Sequence, residues 1–485
     1  MAFLLSLDLK PVSELSRPFR MTSTEVSASV KKYRQRALKP NTITLQDQPN
    51  FKDYCTVLLS LQSATSAMTS AVALQSNSKL LNRPHTSSKE RRPQVNPAEC
   101  IINSLNKPTY EPIEVRSIYQ KGNFSTPGNF EVLQILGKGS YGVVVSAIDK
   151  RNTDKPLRLA IKKVTNIFQR EILLKRAIRE LKFLNFFRGH KNIVSLLDLE
   201  IVSEKPFDGL YCYQELVDYD LARVIHSTVQ FSAFHIKHFL YQILCGLKYI
   251  HSADVIHRDL KPGNILCSIS GHLKICDFGL ARGISPLYTE NKLGDLHITN
   301  YVATRWYRAP ELILSHKRYT KAIDVWAVGC ILAEFYGRKP LFMGQDSLHQ
   351  IYEVLKVLGT PKRDIISKYG SARSFEVFSS HANVIKTDWE SLYPGSCADA
   401  RNLMELLITW DPESRLSVEQ ILEHPFVADV RDPGDEPVCS HGPFDYSYEN
   451  SFTSMQMLRD TIYEEVRQFK ESTSSHGCAY VGCTF

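Results

Sequence analysis

The 485-residue chain has little that would send it across a membrane, lock it with disulfides or load it with a structural metal. Its opening, MAFLLSLDLK, is short in apolar length and has no basic start, so no secretory signal is expected. Residues 57–74 are apolar only in patches broken by Ser, Thr and Gln, which argues against a membrane span. Eleven cysteines are scattered without a CxxC pair or a Cys/His cluster at metal spacing, and they read as reduced thiols of an intracellular protein. Cys483 stands one place off a prenylation signal, and Ala2 excludes N-myristoylation. No internal repeat is visible.

An excess of charge is also missing from most of the chain. Residues 1–123 hold 17 Lys and Arg against 9 Asp and Glu, which accounts for the whole net charge of +8. The remainder balances at zero, so a basic nucleic-acid-binding groove in the main domain is not expected. The runs KKYRQR (31–36) and KERR (89–92) read as solvated chain, with targeting or docking as the alternative. Nucleic-acid binding through this segment is a weaker idea still. Residues 1–122 are rich in Ser, Thr, Asn, Gln and Pro and carry no sustained period. Such a segment cannot bury enough apolar surface to offset its ordering entropy, so a disordered basic extension is expected, with room for short helices near Val57 and Cys100.

At Phe130 the texture changes. FEVLQILGKGSYGVVVSAID alternates between glycines and predicts a hairpin, and LRLAIKKV predicts another strand. REILLKRAIRELKFLNFF has helical period, and from Ser232 onward most periodic segments are helical. The expected class is α+β, a small β-rich lobe before a larger helical lobe.

Gly137, Gly139 and Gly142, with Lys138 between them, are a weak signal alone, because glycines at this spacing also open dinucleotide-binding folds. A dinucleotide turn should lead into a helix, whereas Val143, Val144 and Val145 continue a strand. That favours a glycine hairpin whose backbone N–H groups approach nucleotide phosphates. Lys162 sits in an apolar strand and needs a partner, and Glu180 on the following helix is the natural candidate.

The block VIHRDLKPGNILCSISGHLKICDFGLAR resembles the catalytic core of the protein kinases, and the likeness runs over residues 130–469 with motifs in family order. The resemblance implies a bilobal kinase fold: an extension at 1–122, a kinase domain at 123–427 divided near 217, and a C-terminal extension at 428–485. It implies ATP as phosphoryl donor and Mg²⁺ as cofactor. Asp259 would take the proton of the attacking hydroxyl, Lys261 would neutralise the moving phosphoryl group, and Asn264 and Asp277 would offer the metal hard oxygens. The Lys261 position resembles Ser/Thr kinases. Val144, Ala160 and Leu266 would wall the adenine pocket, with Gln214 at its back and backbone groups of Glu215 and Val217 at the adenine edge. Asp220 would meet the ribose or merely cap a helix. Glu311 with Arg415, and Asp324 under the catalytic loop, are implied structural elements.

HITNYVATRWYRAPE places Thr299 and Tyr301 ahead of Arg305 and Arg308, and together with APE resembles the mitogen-activated protein kinases. Phosphates at Thr299 and Tyr301 would each add nearly two charges that must find cations. Arg258, Arg282 and Arg179 (or Arg176) would meet the first, Arg305 and Arg308 the second, since guanidinium pairs well with phosphate. Asn300 departs from the usual Glu, Gly or Pro, and the surrounding motifs look most like fungal sporulation-specific members. An upstream kinase or autophosphorylation of Tyr301 are both open. The family pattern further implies proline-directed protein substrates, phosphatases as partners, a location in cytoplasm and nucleus, and a monomer without membrane or nucleic-acid partners. Asp432, Asp435 and Glu436 resemble an acidic patch that docks basic motifs, against the plainer reading of a solvated Pro/Gly turn. The helix MQMLRDTIYEEVRQF is expected to return to the small lobe, and the insert at 363–396 diverges. A non-catalytic scaffold would be expected to lack Lys162, Asp259 or Asp277, and a cyclin-dependent kinase would lack Tyr301 and carry a cyclin-binding signature absent from RAIRELKFL.

Overall fold

The computed structural model describes residues 110–116, 121–127, 129–139, 142–151, 156–205, 207–288, 305–314, 320–369, 371–381 and 383–474. The expected extension up to 109, and Thr299 and Tyr301, lie outside the described residues.

Strands β1 (Tyr110–Arg116) and β2 (Lys121–Pro127) form an antiparallel hairpin. Its first strand lies ahead of the boundary expected at 123. Glu111, Pro112, Glu114 and Arg116 masked its alternation in the sequence. Then come β3 (Phe130–Gly139), β4 (Gly142–Asp149), β5 (Leu157–Val164), helix α1 (Glu171–Phe186), β6 (Leu196–Val202) and β7 (Gly209–Glu215). The strands make one antiparallel sheet in the order β3-β4-β5-β7-β6. Phe130, Val145, Ala147, Leu159, Ile161 and Tyr213 build its core, which Phe124 of β2 joins. Helix α1 buries Leu173, Leu174, Ala177, Ile178, Leu181 and Leu184, the spacing of one helical face.

The large lobe begins with β8 (Tyr219–Asp220), α2 (Leu221–His226) and α3 (Ala233–Ser252), followed by β9 (Val255–Ile256), β10 (Ile265–Cys267), β11 (Leu273–Ile275) and β12 (Arg282–Gly283). Ser232 starts α3 with a capping box that includes His235, which satisfies two otherwise orphaned N–H groups. Helices α4 (Pro310–Leu314), α5 (Ala322–Gly337), α6 (Ser347–Leu358), α7 (Arg363–Tyr369), α8 (Ala372–Ser380), α9 (Trp389–Leu392), α10 (Ala398–Leu407) and α11 (Val418–Leu422) complete it. Helix α5 is apolar on every side and buried from Ile323 to Phe335, as a central helix must be. Gly329 lets α10 approach, since a Cβ there would stand 2.7 Å from Ile408 Cγ1 and 2.9 Å from Leu407 Cβ.

Helix α12 (Met455–Ser474) runs back across the small lobe. It buries Leu458, Ile462, Val466 and Phe469, stacks Tyr463 on Phe168 at 5.8 Å, and pairs Glu465 with Lys182 of α1. Among the described residues no helix is long and apolar enough to cross a membrane.

Candidate active site

The glycine segment forms the end of a hairpin. Gly139 pairs with Gly142, and β4 runs on through Val143 and Val144 without a helix. A side chain at Gly142 is excluded, because a Cβ would lie 1.9 Å from Lys163 O. Gly137 and Lys138 are exposed on the strand above. The register then sets Val144 beside Lys162 and Ala160 beside Gln214.

Lys162 donates to both carboxylate oxygens of Glu180, at 2.6 and 2.8 Å. Burial alone would lower its amine, but Glu180 and Asp277 outweigh that and raise it above its usual value, so the charged form is held. Phe278 explains how Asp277 reaches this spot. Its ring is buried against Phe187, Phe183 and His257, with centroids 5.6, 6.2 and 5.0 Å away, and Asp277 adopts a left-handed φ of 64° just before it. Burial would push the Asp277 carboxyl up. Lys162, Lys261, His257 and the Gly279 N–H overcome this and hold it below the ordinary carboxylate range.

The loop carrying Asp259 is pinned from below. Asp324 accepts hydrogen bonds from the backbone N–H of His257 at 2.8 Å and of Arg258 at 2.9 Å, and contacts His251 Nε2 at 3.0 Å. Arg258 is held with φ at 68°, a conformation that needs such support. On the upper side Lys261 Nζ donates to Asp259 Oδ2 at 2.6 Å, and Asn264 Nδ2 donates to the same oxygen and to Asp259 O, each at 2.8 Å. Cys276 N–H donates to Asn264 O at 3.0 Å, which ties this loop to Asp277. Burial raises the Cys276 thiol, so it stays protonated and inert beside the site.

These residues fit a divalent cation and nucleotide. With the Asn264 amide nitrogen turned to Asp259, its Oδ1 is the oxygen that could join the Asp277 carboxylate on a metal. Among the described residues no group of three His, Cys, Asp or Glu could hold a metal by itself. Mg²⁺ suits such a site, because it takes one or two protein oxygens and completes its shell with phosphate and water. At the adenine end, the Glu215 N–H donates to Ser195 O at 3.2 Å, which removes it as a nucleotide donor. Val217 follows in the connection between lobes, and Leu266 pairs with Asp220 below it. Asp220 caps α2, accepting from Arg223 N at 2.9 Å, and its other oxygen lies 3.0 Å from Arg223 Nε.

Other expected residues lie where they can shape the site. Arg415 makes two buried bonds to Glu311, at 2.7 and 2.8 Å, beneath the segment that carries Arg305 and Arg308. Arg258, Asp259, Tyr307 and Arg308 share a cleft beside the catalytic loop. Burial lowers the Arg308 guanidinium, with Asp259 opposing that shift. Trp306 and Tyr307 anchor the same segment through Gly344 O at 3.2 Å and Glu334 Oε2 at 2.6 Å.

One expectation, for Glu436, is corrected. Arg179, expected to meet phosphate on Thr299, already holds other partners. It donates to Glu449, to Tyr446 Oη and to Gly279 O, because its partner is an acid of the C-terminal segment. Arg282 Nη1 lies 3.8 Å from the same Glu449 carboxylate. Glu436 does not face solvent as a docking charge. Its carboxylate is 1% exposed, bound by Arg431 at 2.8 Å and Lys248 at 3.1 Å. Asp435 stays half exposed beside Lys191, and Asp432 Oδ1 caps Gly434 at 3.0 Å. Glu449 and Tyr446 were not legible in the sequence because Arg179, which binds both, lies more than 260 positions away.

A glycine hairpin over a lysine–glutamate pair, facing an Asp-Lys-Asn loop and an Asp-Phe-Gly turn, defines the protein kinase class. Residues 130–427 match the protein kinase domain family. The chain is 60% identical over 363 residues to the sporulation-specific mitogen-activated protein kinase SMK1 of Saccharomyces cerevisiae, covering 74% of this chain and 93% of that one. It is 46% identical over 350 residues to the mitogen-activated protein kinase SLT2/MPK1 of the same yeast, covering 72% and 71%, and 45% identical over 361 residues to MPS1 of Pyricularia oryzae, covering 74% and 85%. The chain belongs to the mitogen-activated protein kinase family and is a Ser/Thr protein kinase. Members of this family bind nucleotide with a divalent metal and act on protein substrates, under the control of upstream kinases and phosphatases.

Proposed function

We propose that this kinase moves the γ-phosphate of ATP, with Mg²⁺, to Ser or Thr followed by Pro in protein substrates, and that phosphorylation of Thr299 and Tyr301 raises its activity. Phosphoryl transfer demands positioning and charge neutralisation more than covalent chemistry. The observation that carries the reading is Asp259 Oδ2 bound at once by Lys261 and Asn264, in a loop tied to Asp277. In that arrangement Asp259 orients the incoming hydroxyl and takes its proton, while Lys261 offsets charge on the transferred group. Mg²⁺ would supply neutralisation of phosphate charge between Asn264 and Asp277.

The 60% identical yeast relative is sporulation-specific, which suggests a role in sporulation and meiotic signalling. Basic docking motifs of substrates, activators and phosphatases would meet Asp432 and Asp435. A monomer moving between cytoplasm and nucleus suits such a signalling role. Purified protein assayed on matched Ser-Pro and Ser-Ala peptides, with mass-spectrometric mapping of Thr299 and Tyr301, tests this. Equal rates on the two peptides would remove proline direction, and equal activity with and without phosphate at Thr299 and Tyr301 would remove the switch.

A further inference from the structure

The segment between the helical lobe and α12 carries a carboxylate that the transfer chemistry does not use. Glu449 sits in a short 3-10 turn (Ser447–Ser451) and receives Arg179 with both oxygens, from Nε at 2.7 Å and from Nη2 at 3.0 Å. The same guanidinium donates through Nη1 to Gly279 O at 2.8 Å, and Tyr446 Oη accepts from Nε at 2.9 Å. Arg282 lies 3.8 Å from Glu449 and 5.4 Å from the centre of the Tyr446 ring. Helix α1, the turn after Asp277 and the C-terminal segment therefore meet at one guanidinium that is 4% exposed.

Two physical points give this contact a consequence. Arg176, Arg179 and Arg282 crowd like charges into one place, which is costly unless an anion answers them. Asp277 and Asp259 answer Arg176, and for Arg179 and Arg282 Glu449 is that anion. Arg179 also precedes Glu180 directly, so whatever fixes Arg179 against Gly279 fixes the turn of α1 that presents Glu180 to Lys162. The Lys162–Glu180 pair is closed at 2.6 Å while Glu449 holds Arg179.

We infer that Glu449 is a positioning residue: in the chain without phosphate on Thr299, its carboxylate occupies Arg179 and Arg282 and keeps α1 in the productive position. A carboxylate and a phosphate are alternative anions for a guanidinium pair, and phosphate at Thr299 takes over the same charge when present. The inference rests on the kinase reading above, and it assigns basal activity to an acid outside the kinase domain match at 130–427.

The test uses full-length protein, dephosphorylated or carrying phosphate at Thr299, in wild-type, Glu449→Gln and Glu449→Asp forms whose thermal midpoints are checked. Without phosphate, Glu449→Gln should lose roughly 10-fold in kcat/KM for ATP, as expected for one charge-assisted bond, and Glu449→Asp should keep most of it. Phosphate at Thr299 should shrink the Gln deficit to about two-fold or less. Affinity for a Mg²⁺-nucleotide analogue, which needs no turnover, should fall in parallel. Should wild type transfer no phosphate, the kinase reading fails, while the analogue affinities still decide this one. Unphosphorylated Glu449→Gln that equals or exceeds wild type in transfer or in analogue affinity would overturn the inference. So would an equal deficit with and without phosphate, since that is what a merely structural contact gives.

Discussion

Lys162 Nζ stands 2.6 Å from Glu180 Oε1, joining a strand of the small lobe to a helix eighteen positions further along. Both side chains are largely shielded, at 19% and 12% exposure, so neither charge can be left alone cheaply. Glu180→Ala should cost about 3 kcal/mol in folding stability, the usual penalty for stripping one partner from a buried pair. It should also lower kcat/KM for ATP by roughly 100-fold, because Lys162 loses its orientation. Replacing both with apolar residues should return stability without returning activity. Chemical denaturation and initial-rate kinetics on the three proteins separate the two effects.

Asp324 supports the catalytic loop from below, and its carboxylate is 1% exposed. Asp324→Ala orphans the N–H groups of His257 and Arg258 and should destabilise the protein by roughly 4 kcal/mol. The left-handed Arg258 should then relax, displacing Asp259. Activity should fall even at temperatures where circular dichroism shows the protein folded.

Glu311 and Arg415 offer a separable case, because Arg415 also donates to Thr409 O and Ala322 O. Each single change, Glu311→Leu or Arg415→Met, should destabilise strongly. The double variant should be less damaged than the sum of the two, with a coupling of about 2 kcal/mol in a double-mutant cycle of unfolding free energies.

Much of this site was legible because its chemistry is local in sequence. Asp259, Lys261 and Asn264 fall within six residues, and the glycine hairpin was distinguished from a dinucleotide turn by the three valines that follow it. Partners contributed from far away were not legible. Arg179 was visible as an arginine on a helix, but the acid that claims it lies 270 positions later. Glu436 read as an exposed docking charge, but Arg431 and Lys248 enclose it. The β1–β2 hairpin hid because its charges blur the alternation, and Phe124 joins it to the core.

His190 makes stability depend on pH. Burial, then Lys191 and Lys274, lower its imidazole to about 4, with Asp435 opposing. Its ring packs on Tyr249 at 4.4 Å and its Nδ1 accepts from Asn192 N at 3.1 Å. The unfolded chain takes up this proton first, near pH 6.5. Stability from His190 is therefore complete above about 6.5 and is lost as pH falls toward 4. The thermal midpoint should drop between pH 7 and 5, and drop less in His190→Gln. His235, also lowered to about 4 by burial, should leave some slope in that variant.

The most direct measurement is transfer of labelled γ-phosphate from ATP to a protein substrate by the purified chain, with Asp259→Asn as the comparison. A general base contributes about 10²- to 10⁴-fold, so the variant should lose at least 100-fold in kcat while still binding nucleotide. Transfer by Asp259→Asn at the wild-type rate would contradict the assignment of this cleft as the seat of catalysis.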